Sequence, residues 1–154
     1  MNTPPPSPIA RVLIVEDHPQ VAELLEAYLA DMPDVSTLIA RNGEQALARV
    51  RDSHPDLILL DIMMPRMSGF EACRILKEDP QTRDIPIIVV TALNTDTDYE
   101  RAYEAGADDY LRKPVNRVEL RMRIQSLLEL RRLRRQLRSS PLHEGPQPDR
   151  RQPP

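Results

Sequence analysis

The sequence predicts an α/β domain built on a doubly wound, five-stranded parallel sheet, and three observations lead there. Short runs of unbroken aliphatic residues, clearest in Leu57-Ile58-Leu59-Leu60, are the mark of strands covered on both faces. Between these runs lie segments with helical apolar spacing, and such alternation belongs to a parallel sheet with helices on both sides. Several of the runs also end in a polar or charged residue, and open α/β sheets place their ligands at the carboxyl ends of the strands. Crossovers of this kind are right-handed.

The elements follow in order. Residues 1–9 are Pro-rich and polar, which predicts a disordered leader before the domain. Arg11 to Val15 is a buried-type strand ending in Glu16-Asp17. Pro19 suits the first turn of a helix that continues with Val21, Leu24, Leu25 and Tyr28. Val35 to Ala40 is the second strand, and Asn42-Gly43 turns the chain into a helix using Ala46, Leu47 and Val50. His54-Pro55 stops it, and the central strand runs to Asp61. Ser68 and Glu71 stand at capping-box spacing and open a helix with Phe70, Cys73 and Leu76 on one side, which Asp79-Pro80 breaks. Pro86 to Val90 is the fourth strand, ending at Thr91. A helix with Tyr99, Ala102 and Tyr103 closes at Gly106, and Asp108 to Arg112 is a short fifth strand ending at Lys113-Pro114. The last helix starts near Asn116, with Glu119 three residues on, and carries Leu120, Ile124, Leu127 and Leu128.

Size and composition narrow the function. A chain of 154 residues is one domain with a single core. It has no apolar run of membrane length and no charged-then-apolar leader, so the expected setting is the cytoplasm and no membrane partner is expected. The lone Cys73 rules out an internal disulfide and a cysteine zinc cluster, and reads as a small core residue. Charge is unevenly placed: residues 1–128 have 14 Lys/Arg against 21 Asp/Glu, a net −7, and residues 129–154 have 7 against 3, a net +4. An acidic body with a basic tail points to separate roles.

The strand ends hold the chemistry. Glu16-Asp17, Asp61, Thr91 and Lys113 follow strands one, three, four and five, so a parallel sheet brings them to one edge. Taken singly each has a plainer reading: Asp61 as an acid closing a strand, Asp17 as a helix cap with Gln20 three residues on, Thr91 as a β-branched strand residue, Lys113 as a solvated charge. His18 reads as a loop residue beside the site rather than a ligand. Taken together they are coherent. Three crowded carboxylates call for a cation, and hard oxygen donors without Cys or paired His favour Mg²⁺. One divalent ion and the Lys113 ammonium balance Glu16, Asp17 and Asp61, leaving room for a phosphoryl dianion. Asp61 is then the nucleophile, with the cation, Lys113 and the Thr91 hydroxyl each on one phosphoryl oxygen.

Four motifs now form a recognisable set: VLIVEDHP (12–19), PDLILLDIMMPRMSGF (55–70), PIIVVTA (86–92) and GADDYLRKP (106–114). Over residues 10–128 the chain resembles a receiver domain of a bacterial two-component response regulator. The resemblance implies a flavodoxin-like strand order, 2-1-3-4-5. It makes Asp61 the phosphorylated aspartate, Asp17 a metal-ligating acid, Glu16 the second acid holding a metal-bound water, and the Met63 backbone carbonyl the third protein ligand. Thr91 and Tyr110 match the switch pair, the aromatic rotating inward when the hydroxyl is drawn to the phosphate; the plainer reading of Tyr110 is an aromatic half-buried on an outer strand. Lys113 matches the family lysine, the Lys113-Pro114 bond the cis position, and Ala92 the small residue beside phosphoryl entry. Two positions depart from the simplest members: Met63 is apolar where some carry a polar side chain, and Glu16 stands where a second Asp is commoner.

The helical pattern runs past the resemblance. Residues 129–138 carry Leu130, Leu133 and Leu137 among five arginines. They read as a dimerising extension, as a basic surface for nucleic acid, or as a solvated stump whose Arg stems cover the core. Residues 139–154 are Pro-rich and charged, which predicts disorder. With no helix-turn-helix, cyclase-like or kinase-like segment, the expectation is a stand-alone regulator. A sensor histidine kinase or histidine phosphotransfer protein would phosphorylate it, and it would act through a downstream protein target. A homodimer through the last helix is possible, and nucleic acid is not the expected partner. It would be no enzyme beyond catalysing its own aspartyl phosphorylation and dephosphorylation. The alternatives are a phosphorylation-independent dimeric adaptor and a weak nucleic-acid binder through the arginines.

Overall fold

The computed structural model describes residues 9–93 and 95–139. The leader at residues 1–8 and the Pro-rich stretch from residue 140 onward lie outside the described residues. Ten elements alternate along the chain: β1 (Ala10–Val15), α1 (Pro19–Leu29), β2 (Val35–Ala40), α2 (Gly43–Ser53), β3 (Leu57–Asp61), α3 (Gly69–Glu78), β4 (Ile87–Thr91), α4 (Asp96–Glu104), β5 (Asp109–Arg112) and α5 (Arg117–Ser139). All strand pairs are parallel, in the order β2-β1-β3-β4-β5, the order that the motifs imply.

Strand alternation divides the core into two layers. Val12, Ile14, Leu57, Leu59, Ile88, Val90 and Leu111 face one side, where Leu25 and Leu29 of α1 and Leu120 and Ile124 of α5 cover them. Leu13, Val15, Ile58, Leu60, Ile87, Val89 and Tyr110 face the other, packed on Val50, Phe70, Cys73, Leu76 and Ala102 from α2, α3 and α4. Every residue of β3 and β4 is buried, which is why these runs carry no polar alternation. Cys73 sits fully inside, and burial pushes its thiol up to about 11, so it stays protonated.

Local signals agree with the turns. Asn42 caps α2 by accepting from the Gln45 N–H at 2.8 Å, Ser68 caps α3 from Glu71 at 3.3 Å, and Asn116 caps α5 from Glu119 at 3.0 Å. Thr95 and Asp98 form a reciprocal capping box on α4. The N-cap of α1 is His18, with no side-chain cap bond, so the Asp17 carboxylate is not spent on capping.

The amino edge of the sheet is held by ion pairs. Lys77 Nζ meets Asp108 at 2.7 Å and donates to the carbonyls of Arg83 and Ile85 at 3.0 and 2.8 Å. Asp108 also accepts from the Ile87 N–H at 2.8 Å, so this pair ties α3 to the entries of β4 and β5. The far end of α5 returns to the same edge. Arg131 donates to Asp56 and to the Pro55 carbonyl, both at 3.3 Å, and Arg138 meets Asp84 at 3.0 Å. These arginines of the extension are thus turned toward acids of the body, while Leu130, Leu133 and Leu137 are exposed.

Candidate functional site

The parallel register decides which side chains meet. Val15 pairs with Leu60 and Asp61 with Val90, so Glu16, one step beyond Val15, arrives beside Asp61. Thr91 pairs with Arg112, which puts Lys113 one step past the end of β5, its N–H bonded to the Thr91 carbonyl at 2.8 Å. The Lys113-Pro114 peptide is cis, as the motif implies.

The side chains converge. Lys113 Nζ lies 2.9 Å from Glu16 Oε2 and 3.6 Å from Asp61 Oδ1. Glu16, Asp61 and Thr91 are buried, while Lys113 and Asp17 keep partial access to solvent. Glu16 Oε1 accepts from the His18 N–H at 3.3 Å, so both its oxygens are engaged. Asp61 Oδ1 accepts from the Met63 N–H at 3.3 Å; Met63 itself turns its side chain outward.

The electrostatics leave a deficit of positive charge. Burial raises the Asp61 carboxyl to about 6 from an ordinary 3.8, and the neighbouring Glu16 charge adds to the rise; Lys113 and the Met63 N–H oppose it. Asp17 Oδ1 is buried with no hydrogen-bond partner. A buried, unpartnered carboxylate oxygen near a second carboxylate, that of Glu16, is costly unless a cation meets it. The donors are oxygens, so the residues present fit a hard divalent ion. The donor atoms of Glu16, Asp17 and His18 all lie within 4.8 Å of one another. Asp61 is outside that group; its Oδ1 faces Lys113 and the Met63 N–H.

Beside the acids, Thr91 Oγ1 accepts from the Leu93 N–H at 3.2 Å. The Leu93 carbonyl in turn accepts from the Tyr110 hydroxyl. Tyr110 is buried rather than half-buried, its ring 4.1 Å from that of Tyr99. Burial, then Tyr99, pushes its hydroxyl up to about 12, so it remains a donor. Leu93 therefore joins Thr91 to Tyr110 through its own two backbone groups, a link the sequence reading missed because backbone partners leave no residue signature.

Gly69 was also missed as a positioning residue. A Cβ there would stand 2.2 Å from the Asp61 carbonyl oxygen and 2.7 Å from Ile62 Cα. Only glycine lets α3 start this close beneath the loop that holds Asp61. The MSGF segment was visible, but its reason is a contact between backbones. His18, set aside as a loop residue, lies with its Nε2 4.0 Å from Asp17 Oδ1.

Comparison with known proteins agrees with this fold. The family model described as "Response regulator receiver domain" matches residues 12–125. The chain is 48% identical over 119 residues to the response regulator PleD of Caulobacter vibrioides, covering 77% of this chain and 26% of that protein. It is 40% identical to the DNA-binding response regulator MtrA of Mycolicibacterium smegmatis, over 77% of this chain and 50% of that one. The chain thus spans about a quarter to a half of the length of these curated relatives. Among solved structures, the receiver domain of the sensor histidine kinase PA1611 from Pseudomonas aeruginosa superposes with a TM-score of 0.73 at 31% identity, covering 79% of this chain and 98% of that one; that structure has a magnesium ion coordinated in its active-site cleft.

Proposed function

The chain belongs to the response regulator receiver domain family, and from that membership we propose that it is a phosphorylation switch whose phosphoryl acceptor is Asp61. The observation that carries the reading is one ammonium, Lys113, set 2.9 Å from Glu16 and 3.6 Å from Asp61, with a carboxylate oxygen of Asp17 within 4.8 Å of one of Glu16.

The donor is a phosphohistidine on a sensor kinase or phosphotransfer protein. An Asp61 carboxylate oxygen attacks phosphorus; the P–O bond forms as the P–N bond breaks, its electron pair leaving on the donor imidazole. Lys113 exchanges part of its contact with Glu16 for a phosphoryl oxygen, and the Thr91 hydroxyl turns to a second. Glu16, Asp17, Asp61 and the Met63 carbonyl are the groups that would hold Mg²⁺, which when bound offsets negative charge at the phosphoryl oxygens. Moving the Thr91 hydroxyl releases the Leu93 N–H, and Leu93 also anchors Tyr110. That is the route by which Asp61 reaches the flank formed by α4, β5 and α5, where a downstream protein would dock. The setting is cytoplasmic; no helix among the described residues is long and apolar enough to cross a membrane.

The test is phosphorylation by acetyl phosphate with Mg²⁺, read by intact mass. Wild type takes up one phosphoryl group and Asp61→Asn takes up none; full labelling of that variant defeats the assignment. A second reading, a dimeric adaptor independent of phosphorylation, is favoured by the exposed Leu130, Leu133 and Leu137 of α5. Light scattering with and without beryllofluoride and Mg²⁺ separates the two: the switch predicts a changed surface or oligomer on loading, the adaptor a dimer that loading leaves alone.

A further inference from the structure

We propose that the amino edge of the sheet carries a second site, opposite the acidic one, which binds a small organic phosphate of the nucleotide class through its phosphate groups. The site is a cavity of about 450 Å³ between α5, the end of α3 and the entries of β4 and β5. That volume is in the range of small-molecule sites. Six cations line it: Lys77, Arg83, Arg131, Arg134, Arg135 and Arg138. Only two acids do, and both are already matched, Asp108 by Lys77 at 2.7 Å and Asp84 by Arg138 at 3.0 Å. Arg83 and Arg134 form no ion pair with any described residue. Arg131 feels the excess. Its side chain is 15% exposed, its Nε is buried with no hydrogen-bond partner, and burial, then the Arg135 charge, hold its guanidinium below the ordinary value. An anion in the cavity would relieve that repulsion.

A plainer cause covers part of this cluster. Cations are favoured in the last turns of a helix, so the dipole of α5 accounts for some of its arginines. It does not account for Lys77 and Arg83, which reach the same cavity from α3 and from the loop before β4. The ligand class follows from the lining. Arginines 131, 134, 135 and 138 recur at helical spacing on one side of α5. A row of guanidinium forks suits the several oxygens of linked phosphates better than a single carboxylate. Ile85, Pro86, Leu127 and Leu130 complete the wall and offer a surface to an apolar ring. A nucleotide carries both parts, and a bare phosphate only the first.

The experiment is calorimetric titration of the full chain with ADP, inorganic pyrophosphate and adenosine, in metal-stripped buffer at about 0.15 M salt. Leaving out divalent ions keeps phosphate from the acidic edge. Wild type is expected to bind ADP at a single site, pyrophosphate about tenfold more weakly, and adenosine not measurably. The double variant Arg83→Gln, Arg134→Gln breaks no ion pair, so it should fold as wild type does, and it is expected to weaken ADP binding by about tenfold. Arg51→Gln removes an exposed charge on α2, outside the cavity, and should leave ADP binding within about twofold. No binding of ADP to wild type overturns the proposal. So does an equal loss in Arg51→Gln, which would mean attraction by overall charge. Binding of a short single-stranded DNA with neither ADP nor pyrophosphate also overturns it, in favour of an open basic surface.

Discussion

Replacing Asp61 by Asn should make the metal-free protein more stable, although it removes the residue on which the proposed function turns. Folding buries the Asp61 carboxyl beside Glu16 and raises it from 3.8 to about 6. A carboxyl raised by folding opposes folding when it is ionised, by about 1.4 kcal/mol per pH unit of the rise, here about 3 kcal/mol. The native state binds more protons than the unfolded state between pH 3.8 and about 6. Wild-type stability from this group therefore falls as pH rises through that window and levels off above it, and the penalty vanishes below 3.8. Asn keeps an oxygen for the Met63 N–H and loses only the longer, 3.6 Å contact with Lys113, which retains Glu16 at 2.9 Å. The variant should gain about 1–3 kcal/mol at pH 7.5 in EDTA and show no gain near pH 3.5. Urea unfolding across pH 3.5–8 measures it, and saturating Mg²⁺ should shrink the difference by stabilising wild type. A variant no more stable than wild type at pH 7.5 in EDTA would refute the reasoning, because burial of the charge would then be compensated by something other than a cation.

Three further outcomes follow from the same geometry. Gly69→Ala drives a Cβ into the Asp61 carbonyl and Ile62 Cα, both backbone atoms that cannot step aside; it should lose about 2–4 kcal/mol in urea unfolding and slow labelling by acetyl phosphate. Thr91→Val keeps the buried volume and leaves the Leu93 N–H without its acceptor, so about 1 kcal/mol is lost; it should still be phosphorylated, but the Tyr110 ring resonances should no longer shift on loading with beryllofluoride. Lys77→Met strands Asp108 next to the Ile87 N–H with no ammonium and frees the Arg83 and Ile85 carbonyls. It should cost about 2–4 kcal/mol by chemical denaturation while leaving Mg²⁺ affinity at the opposite edge unchanged.

Much of the fold is legible in the chain because a parallel sheet writes itself as uninterrupted aliphatic runs. Leu57 to Leu60 and Ile87 to Val90 are buried on both faces and admit no polar residue, so their ends at Asp61 and Thr91 stand out. The site residues are readable for the same reason, since parallel strands must deliver their carboxyl ends to one edge. Contacts between segments distant in the chain are not readable. Lys77 and Asp108, or Arg131 and Asp56, are surface-type charges until the fold sets them together. Gly69 looks like helix punctuation, and its tight fit under β3 is invisible without the backbone of Ile62. The plainer reading of Asp17 taken singly, a cap by its spacing to Gln20, gives way because the cap position falls on His18, one residue later, which frees the acid for the site that the strand ends together suggest.

The outer strand β5 is only four residues long, and its successors are Lys113 and Pro114. Proline has no amide hydrogen to offer, and the charged Asp109 and Arg112 open and close the strand, so this border of the sheet resists extension by a foreign strand. Whatever binds along this flank must recognise side chains rather than join the backbone ladder. Under the proposed switch, the posture of the Tyr110 ring is a signal that such a partner would read, and one that a partner adding only a strand would miss.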